Sequence, residues 1–379
     1  MGMVGGGPGA FIGAVHRIAA RIDGEIDLVA GAFSSSPEKS KQAGEELYLN
    51  PDRVYGSYED MIRTEAALPE GERIDLVSIV TPNHVHYGPA KMALDFGFHV
   101  ICDKPLCFSM KEALDLKKTV EDTGLIFALT HNYTGYPMVK QAKAMVARGD
   151  FGKIRKVVVE YPQGWLSTKV EADASNKQAG WRTDPKRSGI AGAMGDIGTH
   201  AENLAEYITG LHISEVCADL STFVEGRLLD DDGNILLRFE NGAKGILHAS
   251  QISAGEENDL NIRVYGEKGG FSWRQMEPNT LVTRWLDRPV EILRTGVGEL
   301  APAAQAAARI PAGHPEGYLE AFANIYKNVA FSIQARLAGE EVDPIYTDYP
   351  TVADGVRGMQ FVETIVASSN SSDKWVKMP

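Results

Sequence analysis

Met1-Gly2-Met3-Val4-Gly5-Gly6-Gly7-Pro8-Gly9-Ala10-Phe11-Ile12-Gly13 opens the chain and decides how its first third is read. A short apolar run, Met1–Val4, enters a glycine cluster, and a helical pattern follows over 13–21. Glycine suits such a junction because the backbone must turn tightly and approach a pyrophosphate closely. The helix start behind it then supplies free N–H groups and the positive end of the helix dipole. Gly5 and Gly7 fit the first two positions of G-x-G-x-x-G, while Gly13 falls three residues late. Dinucleotide contacts are expected from Gly5, Gly7, Pro8, Gly9, Phe11, Ile12 and Gly13.

Outward from that loop, apolar runs at Ile26–Phe33, Leu76–Thr81, Phe98–Cys102 and Leu125–Thr130 alternate with helical patterns near 37–46, 57–65, 85–96 and 109–123. Strands apolar nearly throughout, each followed by a helix, imply a parallel sheet covered on both faces. The tip of the second strand is the usual reader of the cofactor ribose, where a carboxylate favours NAD and basic residues accept a 2′-phosphate. This chain has Ser34-Ser35-Ser36 there, with Lys39 beyond and Ser36 placed to cap a helix beginning at Pro37. The choice between NAD and NADP stays open.

After residue 150 the pattern becomes one of strands joined by short turns. Ile154–Tyr161, Ser214–Val224, Asn234–Phe239, Lys244–Ser253, Leu260–Tyr265, Gly270–Arg274 and Thr280–Leu286 read as strands, interrupted by one helix near Ala193–Thr209. A loop over 287–313, helices near Pro315–Leu337 and Thr351–Ser368, and a strand at Lys374–Met378 complete the reading. The expected architecture is an α/β Rossmann domain over 1–131 and an α+β domain over 132–379 built on a large, mostly antiparallel open sheet. The second would bind substrate and carry subunit contacts, its closing helix and strand returning toward the first.

With 379 residues the chain has length enough for two cores. A net charge of -13, without a basic stripe, argues against nucleic acid as a partner. No apolar run approaches a membrane span, and the start lacks the charged region and cleavage site of a secretory signal. Cys102, Cys107 and Cys217 fit neither a metal spacing nor a disulfide framework, so a cytoplasmic protein without a catalytic metal is expected.

Two motifs carry chemistry. Cys102-Asp103-Lys104-Pro105-Leu106 lies at the C-terminal end of the fourth strand, the sheet edge where open α/β folds bind ligands. Alone, such a lysine reads as a solvated surface residue. Asp196 and His200 stand four apart on one face of a predicted helix, beside its apolar stripe of Ile197, Leu204 and Ile208. That spacing alone is also that of an ordinary helical pair; the Gly189–Gly192 approach gives it meaning by letting a ligand come close.

These residues carry a family resemblance that spans nearly the whole chain. Asp103-Lys104-Pro105 resembles the Glu-Lys-Pro signature of the Gfo/Idh/MocA oxidoreductases, with Asp in place of Glu. Asp196-x-x-x-His200 resembles the motif of the family's inositol and sugar dehydrogenases, and Thr81-Pro82-Asn83-His84-Val85-His86 resembles its nicotinamide-side segment. The longer glycine loop departs from the pattern. The resemblance implies NAD(P)-dependent oxidation of a secondary hydroxyl of a sugar, anhydrosugar or cyclic polyol. His200 would be the general base, Lys104 the donor to the reacting oxygen, and Asp196 the group that orients an adjacent hydroxyl. Thr81, Pro82, Asn83, His86, Asp103, Lys104, Asn132, Trp181 and Arg182 join the cofactor set. Tyr133, Tyr136, Trp165, Thr199 and His314 join the substrate set. An NAD-dependent glycoside hydrolase working through transient oxidation at C3 is the rival reading, and a cofactor sensor without turnover is a third. A homodimer or homotetramer through the open sheet is expected.

Overall fold

The computed structural model describes residues 1–173 and 176–379. It contains two compact units, Met1–Gly135 with Tyr318–Val356, and Tyr136–Gly317 with Arg357–Pro379.

The first unit holds a five-stranded parallel sheet. Its strands are β1 (Gly2–Gly5), β2 (Ala30–Ala32), β3 (Leu76–Val80), β4 (His99–Cys102) and β5 (Phe127–Leu129), in the order β2-β1-β3-β4-β5. Met3 pairs with Gly31 on one side and Ser78 on the other, so the strand order reverses at β1. Doubly wound sheets bind ligands at the C-terminal strand ends beside such a switch point. Every residue of β3 and β4 is buried, as continuous apolar runs require when helices cover both faces. The helices are Phe11–Ile22, Pro37–Glu46, Tyr58–Ala66, Tyr87–Asp95 and Met110–Thr123. Ser109 and Glu112 form a reciprocal capping box on the last, and Gly124 closes it in the left-handed conformation.

A sixth helix, Tyr318–Ala338, belongs to this unit although the sequence assigns it to the second domain. Burial explains the difference: Tyr326 Oη lies 2.7 Å from His16 Nδ1 and 2.8 Å from Ser78 Oγ, joining helix to helix and helix to sheet. Strand β2 is shorter than expected, because Ile26 and Leu28 pack on the core outside the ladder.

Helix Pro37–Glu46 ends unusually. Tyr48 takes the left-handed conformation (φ 56°) while 95% exposed, and Leu49 N–H donates to Gly44 O at 3.0 Å. A side chain there strains the backbone without packing in return, whereas glycine adopts that conformation freely. Tyr48→Gly is expected to raise stability by about 0.5–1 kcal/mol, read as a higher urea midpoint.

The second unit is built on nine strands: β6 (Lys156–Pro162), β7 (Ile213–Ser221), β8 (Asp232–Phe239), β9 (Lys244–Ser250), β10 (Asn261–Tyr265), β11 (Gly269–Arg274), β12 (Thr280–Trp285), β13 (Glu291–Arg294) and β14 (Val376–Lys377). Their order is β13-β12-β11-β10-β6-β9-β8-β7-β14, antiparallel throughout except between β6 and β9. Helices Pro137–Ala147 and Thr199–Thr209 pack on one face. Along the other, register aligns Leu236, Ile246, Val158, Arg263, Ser272, Val282 and Ile292 in one cross-strand row.

Four sequence expectations change here. The loop over 287–313 contains β13 and a short helix, Pro302–Ala306. Helix Pro137–Ala147 had no counterpart in the periodicity reading. The terminal strand does not return to the first unit but pairs with β7, Val376 opposite Val216. The helix read over Ala193–Thr209 is a π-helical segment, Met194–Gly198, continued by the α-helix Thr199–Thr209.

Candidate functional sites of the two units

In the first unit the glycine loop leaves β1 and passes beneath the start of helix Phe11–Ile22. A Cβ on Gly13 would stand 2.4 Å from Gly6 Cα, so strand and helix touch there backbone to backbone. Gly13 therefore serves as the close-packing glycine despite its late position, and its partner is Gly6. Gly5 stays at φ 87° against Thr81, and Gly7 N–H donates to Phe33 O at 3.0 Å. Arg17 Nη1 donates to Gly6 O at 2.8 Å and holds the loop from below. Pro8, Gly9 and Phe11 are exposed, Ile12 is half-buried, and a Cβ on Gly9 would meet nothing within 4 Å. Ala10 precedes the helix with no side-chain cap, so the first N–H groups face an open cradle suited to an anion.

Beside the cradle, Ser34 Oγ accepts from Ser36 N–H at 3.2 Å. Ser36 caps its helix as expected, accepting from Lys39 N–H, and donates to Glu38 at 2.7 Å. Ser35 and the Lys39 side chain are exposed.

The ends of β3, β4 and β5 bring together Thr81, Pro82, Asn83, Asp103, Lys104 and Asn132. Thr81 Oγ1 and Asn132 Nδ2 are buried with no hydrogen-bond partner among the described residues, as expected of groups that complete their bonding with a ligand. Asp103 Oδ1 accepts from Lys104 N–H at 2.9 Å and from Thr130 Oγ1 at 2.8 Å, fixing the turn that carries Lys104. The Asp found where the family motif has Glu thus has a defined structural task. His86 is fully buried beneath this edge, its Nε2 2.8 Å from Thr81 O and its Nδ1 2.8 Å from Pro105 O. Any part it has in cofactor binding is therefore indirect. Tyr133 is buried, its ring 6.4 Å from that of Tyr318.

Burial lowers the pKa of three other histidines of this unit. His16 is pushed down to about 4, His99 to about 4 and His131 to about 3, desolvation leading in each. Groups depressed in the folded state contribute stability above their unfolded value near 6.5 and lose it as pH falls toward the folded values. Stability is expected to decline between about pH 6.5 and pH 4, by roughly 3 kcal/mol from His16 alone. Urea midpoints flat across that interval would contradict the buried neutral rings.

In the second unit the π-helical segment carries Asp196. Its Oδ2 accepts from Arg182 Nε at 2.8 Å and from Gln251 Nε2 at 2.8 Å. The Arg182 guanidinium stacks 4.3 Å from the Trp181 ring and 5.7 Å from that of Trp165. Of the pair assigned by sequence to the cofactor, Arg182 holds the carboxylate and Trp181 lies against the Arg182 guanidinium. His200 is buried, with the Tyr161 ring 6.3 Å away, and Tyr161 Oη donates to Asn258 Oδ1 at 2.8 Å. Trp165 Nε1 donates to Gln163 Oε1 at 3.1 Å. Thr199 Oγ1 donates back to Gly195 O at 3.2 Å.

Asp230 builds the start of this segment. Its carboxylate oxygens accept from Gly192 N–H at 2.7 Å and Met194 N–H at 2.8 Å, and its main-chain oxygen accepts from Ala193 N–H at 2.9 Å. A Cβ on Gly192 would lie 2.2 Å from that main-chain oxygen, which explains the glycine. Of the substrate set, Tyr136 is buried against Trp273, and His314 is exposed with Nδ1 on Pro311 O. Sequence reasoning missed Tyr161, Asn258, Asp230 and Gln251. Gln251 lies inside a run read as continuous strand, and only the structure shows that it follows the last paired residue, Ser250.

Among the described residues no cluster of His, Cys, Asp or Glu is arranged to hold a metal, and no helix is long and apolar enough to cross a membrane.

Glycine cradle, parallel sheet and open antiparallel sheet define a nucleotide-dependent oxidoreductase of two-domain type. Residues 1–133 match the oxidoreductase family's NAD-binding Rossmann fold, and residues 139–272 match the GFO/IDH/MocA C-terminal domain. An oxidoreductase from Sinorhizobium meliloti is 48% identical with a TM-score of 0.89, over 99% of this chain and 98% of that one. An inositol dehydrogenase homologue from Azotobacter vinelandii, solved with NAD+, is 36% identical with a TM-score of 0.93, over 99% and 96%. The levoglucosan dehydrogenase of Pseudarthrobacter phenanthrenivorans is 26% identical over 100% of this chain and 98% of its own length. The chain belongs to the Gfo/Idh/MocA family of oxidoreductases, and residues 1–133 are its NAD-binding Rossmann fold.

Proposed function

We propose that the protein is a dehydrogenase that oxidises a secondary hydroxyl of a sugar, anhydrosugar or cyclic polyol to a ketone or lactone. The observation that carries this reading is the Asp196 carboxylate, anchored through one oxygen by Arg182 and Gln251, one helical turn from His200. A carboxylate oriented that way suits a vicinal hydroxyl, and polyols offer hydroxyls in adjacent pairs. The nicotinamide cofactor, when bound, supplies the hydride acceptor. In this reading His200 takes the hydroxyl proton, because an imidazole suits reversible proton transfer near neutrality. Lys104 donates to the same oxygen and stabilises the negative charge that develops there.

The residues present fit that cofactor. The uncapped helix start at Ala10 suits the pyrophosphate, and the partnerless Thr81 Oγ1 and Asn132 Nδ2 suit a polar ligand at the strand ends. Ser34, Ser35 and Lys39 offer no carboxylate to repel a 2′-phosphate, so NAD and NADP are both proposed as cofactors. Inositols, aldoses, anhydrosugars and glycosides assayed separately with NAD+ and NADP+ test the reading through the absorbance of the reduced cofactor. Aglycone release from a glycoside without net reduction would replace it with the hydrolase.

The protein is further proposed to be a cytoplasmic homodimer or homotetramer. Three free cysteines suit a reducing compartment. The open sheet face carries Leu236, Ile246 and Ile292 at 46%, 38% and 64% exposure, and a second copy would cover it. Light scattering on Ile246→Glu should then report a smaller assembly than the unchanged chain.

A further inference from the structure

We propose that His86 is held as an imidazolium, and that in this form it is the positioning residue tying the Lys104–Pro105 turn to the end of β3. Both ring nitrogens face main-chain carbonyl oxygens at 2.8 Å, Thr81 O from Nε2 and Pro105 O from Nδ1, and the ring has no exposure. A carbonyl oxygen only accepts. Neutral imidazole has one N–H and one lone pair, so it satisfies one of these oxygens and turns its lone pair on the other. The ring has no exposure to bulk solvent, and the doubly protonated form is the state that makes both bonds.

Other buried histidines of the same unit differ in the way this argument requires. His99 Nδ1 accepts from Ile126 N–H at 3.0 Å, which needs a bare nitrogen. His16 Nδ1 faces the Tyr326 hydroxyl, which can give or take a proton. At His86 burial, the largest influence, draws the pKa below the ordinary imidazole value, and Lys104 acts the same way, as His16 would if charged. What favours the charge is the pair of carbonyl acceptors, which a neutral ring cannot both satisfy. The Asp103 carboxylate also acts for it. Asp103 is a fixed counter-charge, its Oδ1 already pinned by Lys104 N–H and Thr130 Oγ1. The bracket therefore spans the two segments Thr81-Pro82-Asn83 and Asp103-Lys104-Pro105, and losing its proton would turn one of its two attractions into a repulsion.

The consequence for turnover rests on the proposed role of Lys104, whereas the charge state does not. Nitrogen-15 NMR of the whole protein with labelled histidine reads the ring directly. One of the nine histidines is expected to show two protonated ring nitrogens at a pH where exposed histidines are neutral, and that signal should vanish in His86→Gln. An unprotonated ring nitrogen at His86 near neutral pH would overturn the proposal, and the unchanged protein suffices for that result if the variant does not fold. In steady-state assays His86→Gln, whose amide donates from a single nitrogen, should lower kcat about 10- to 100-fold. Its KM for the cofactor should stay within about twofold of the unchanged protein. An unaltered kcat would overturn the positioning role. If no polyol is oxidised by the unchanged protein, the proposed function fails while the NMR result still decides the ring.

Discussion

Lys104→Ala and His200→Ala are each expected to lower kcat by about 10²–10⁴ while leaving cofactor affinity within a few-fold. The two side chains are proposed to share one oxygen, one removing its proton and the other stabilising the charge that remains. Either loss therefore acts on the transition state more than on binding, and kcat and kcat/KM should fall together. Cofactor affinity should survive because the cradle is main chain from Gly5 to Phe11. The double variant should be little worse than the poorer single one, since groups acting as a unit are not additive. Steady-state kinetics with cofactor binding followed by fluorescence checks this, and unchanged turnover in either single variant would remove that residue from the mechanism.

Asp230→Ala is expected to destabilise the second unit by about 2–5 kcal/mol, because two buried amides lose a charged acceptor together. The amides are those of Gly192 and Met194, which open the π-helical segment. Asp230→Asn should fall between, since one oxygen remains to accept and its new N–H group faces a donor. Turnover should decline in both variants beyond what unfolding explains, because Asp196 lies two residues past Met194. A urea midpoint for Asp230→Ala equal to that of the unchanged protein would show that the segment holds its winding without this carboxylate.

The sheet of the first unit was legible because its strands are buried on both faces and read as short apolar runs. Lys104 was legible because its motif lies at a strand end, and Asp196 with His200 because a glycine-rich approach precedes them. Most of what the sequence concealed depends on a partner far away along the chain. The winding at Asp196 depends on Asp230 and on Gly192, whose missing Cβ admits the Asp230 main chain. Edge strand β13 buries little, so Glu291–Arg294 shows no alternation to read. The place of helix Tyr318–Ala338 follows from Tyr326, whose hydroxyl meets two residues of the first third of the chain. The glycine loop misled more gently, since spacing named Gly5 and Gly7 while contact pairs Gly13 with Gly6.

Tyr326 has a bearing on synthesis as well. Synthesis runs from the N-terminal side, and the sheet of the first unit is complete by Leu129. The helix that seals His16 and Ser78 emerges only after all of residues 136–317. At roughly 5–20 residues per second the nucleotide-binding core waits about ten seconds or more with one flank open. During that interval its apolar surface is available to chaperones and to neighbouring chains, and a nascent chain halted before Tyr318 would stay in that state.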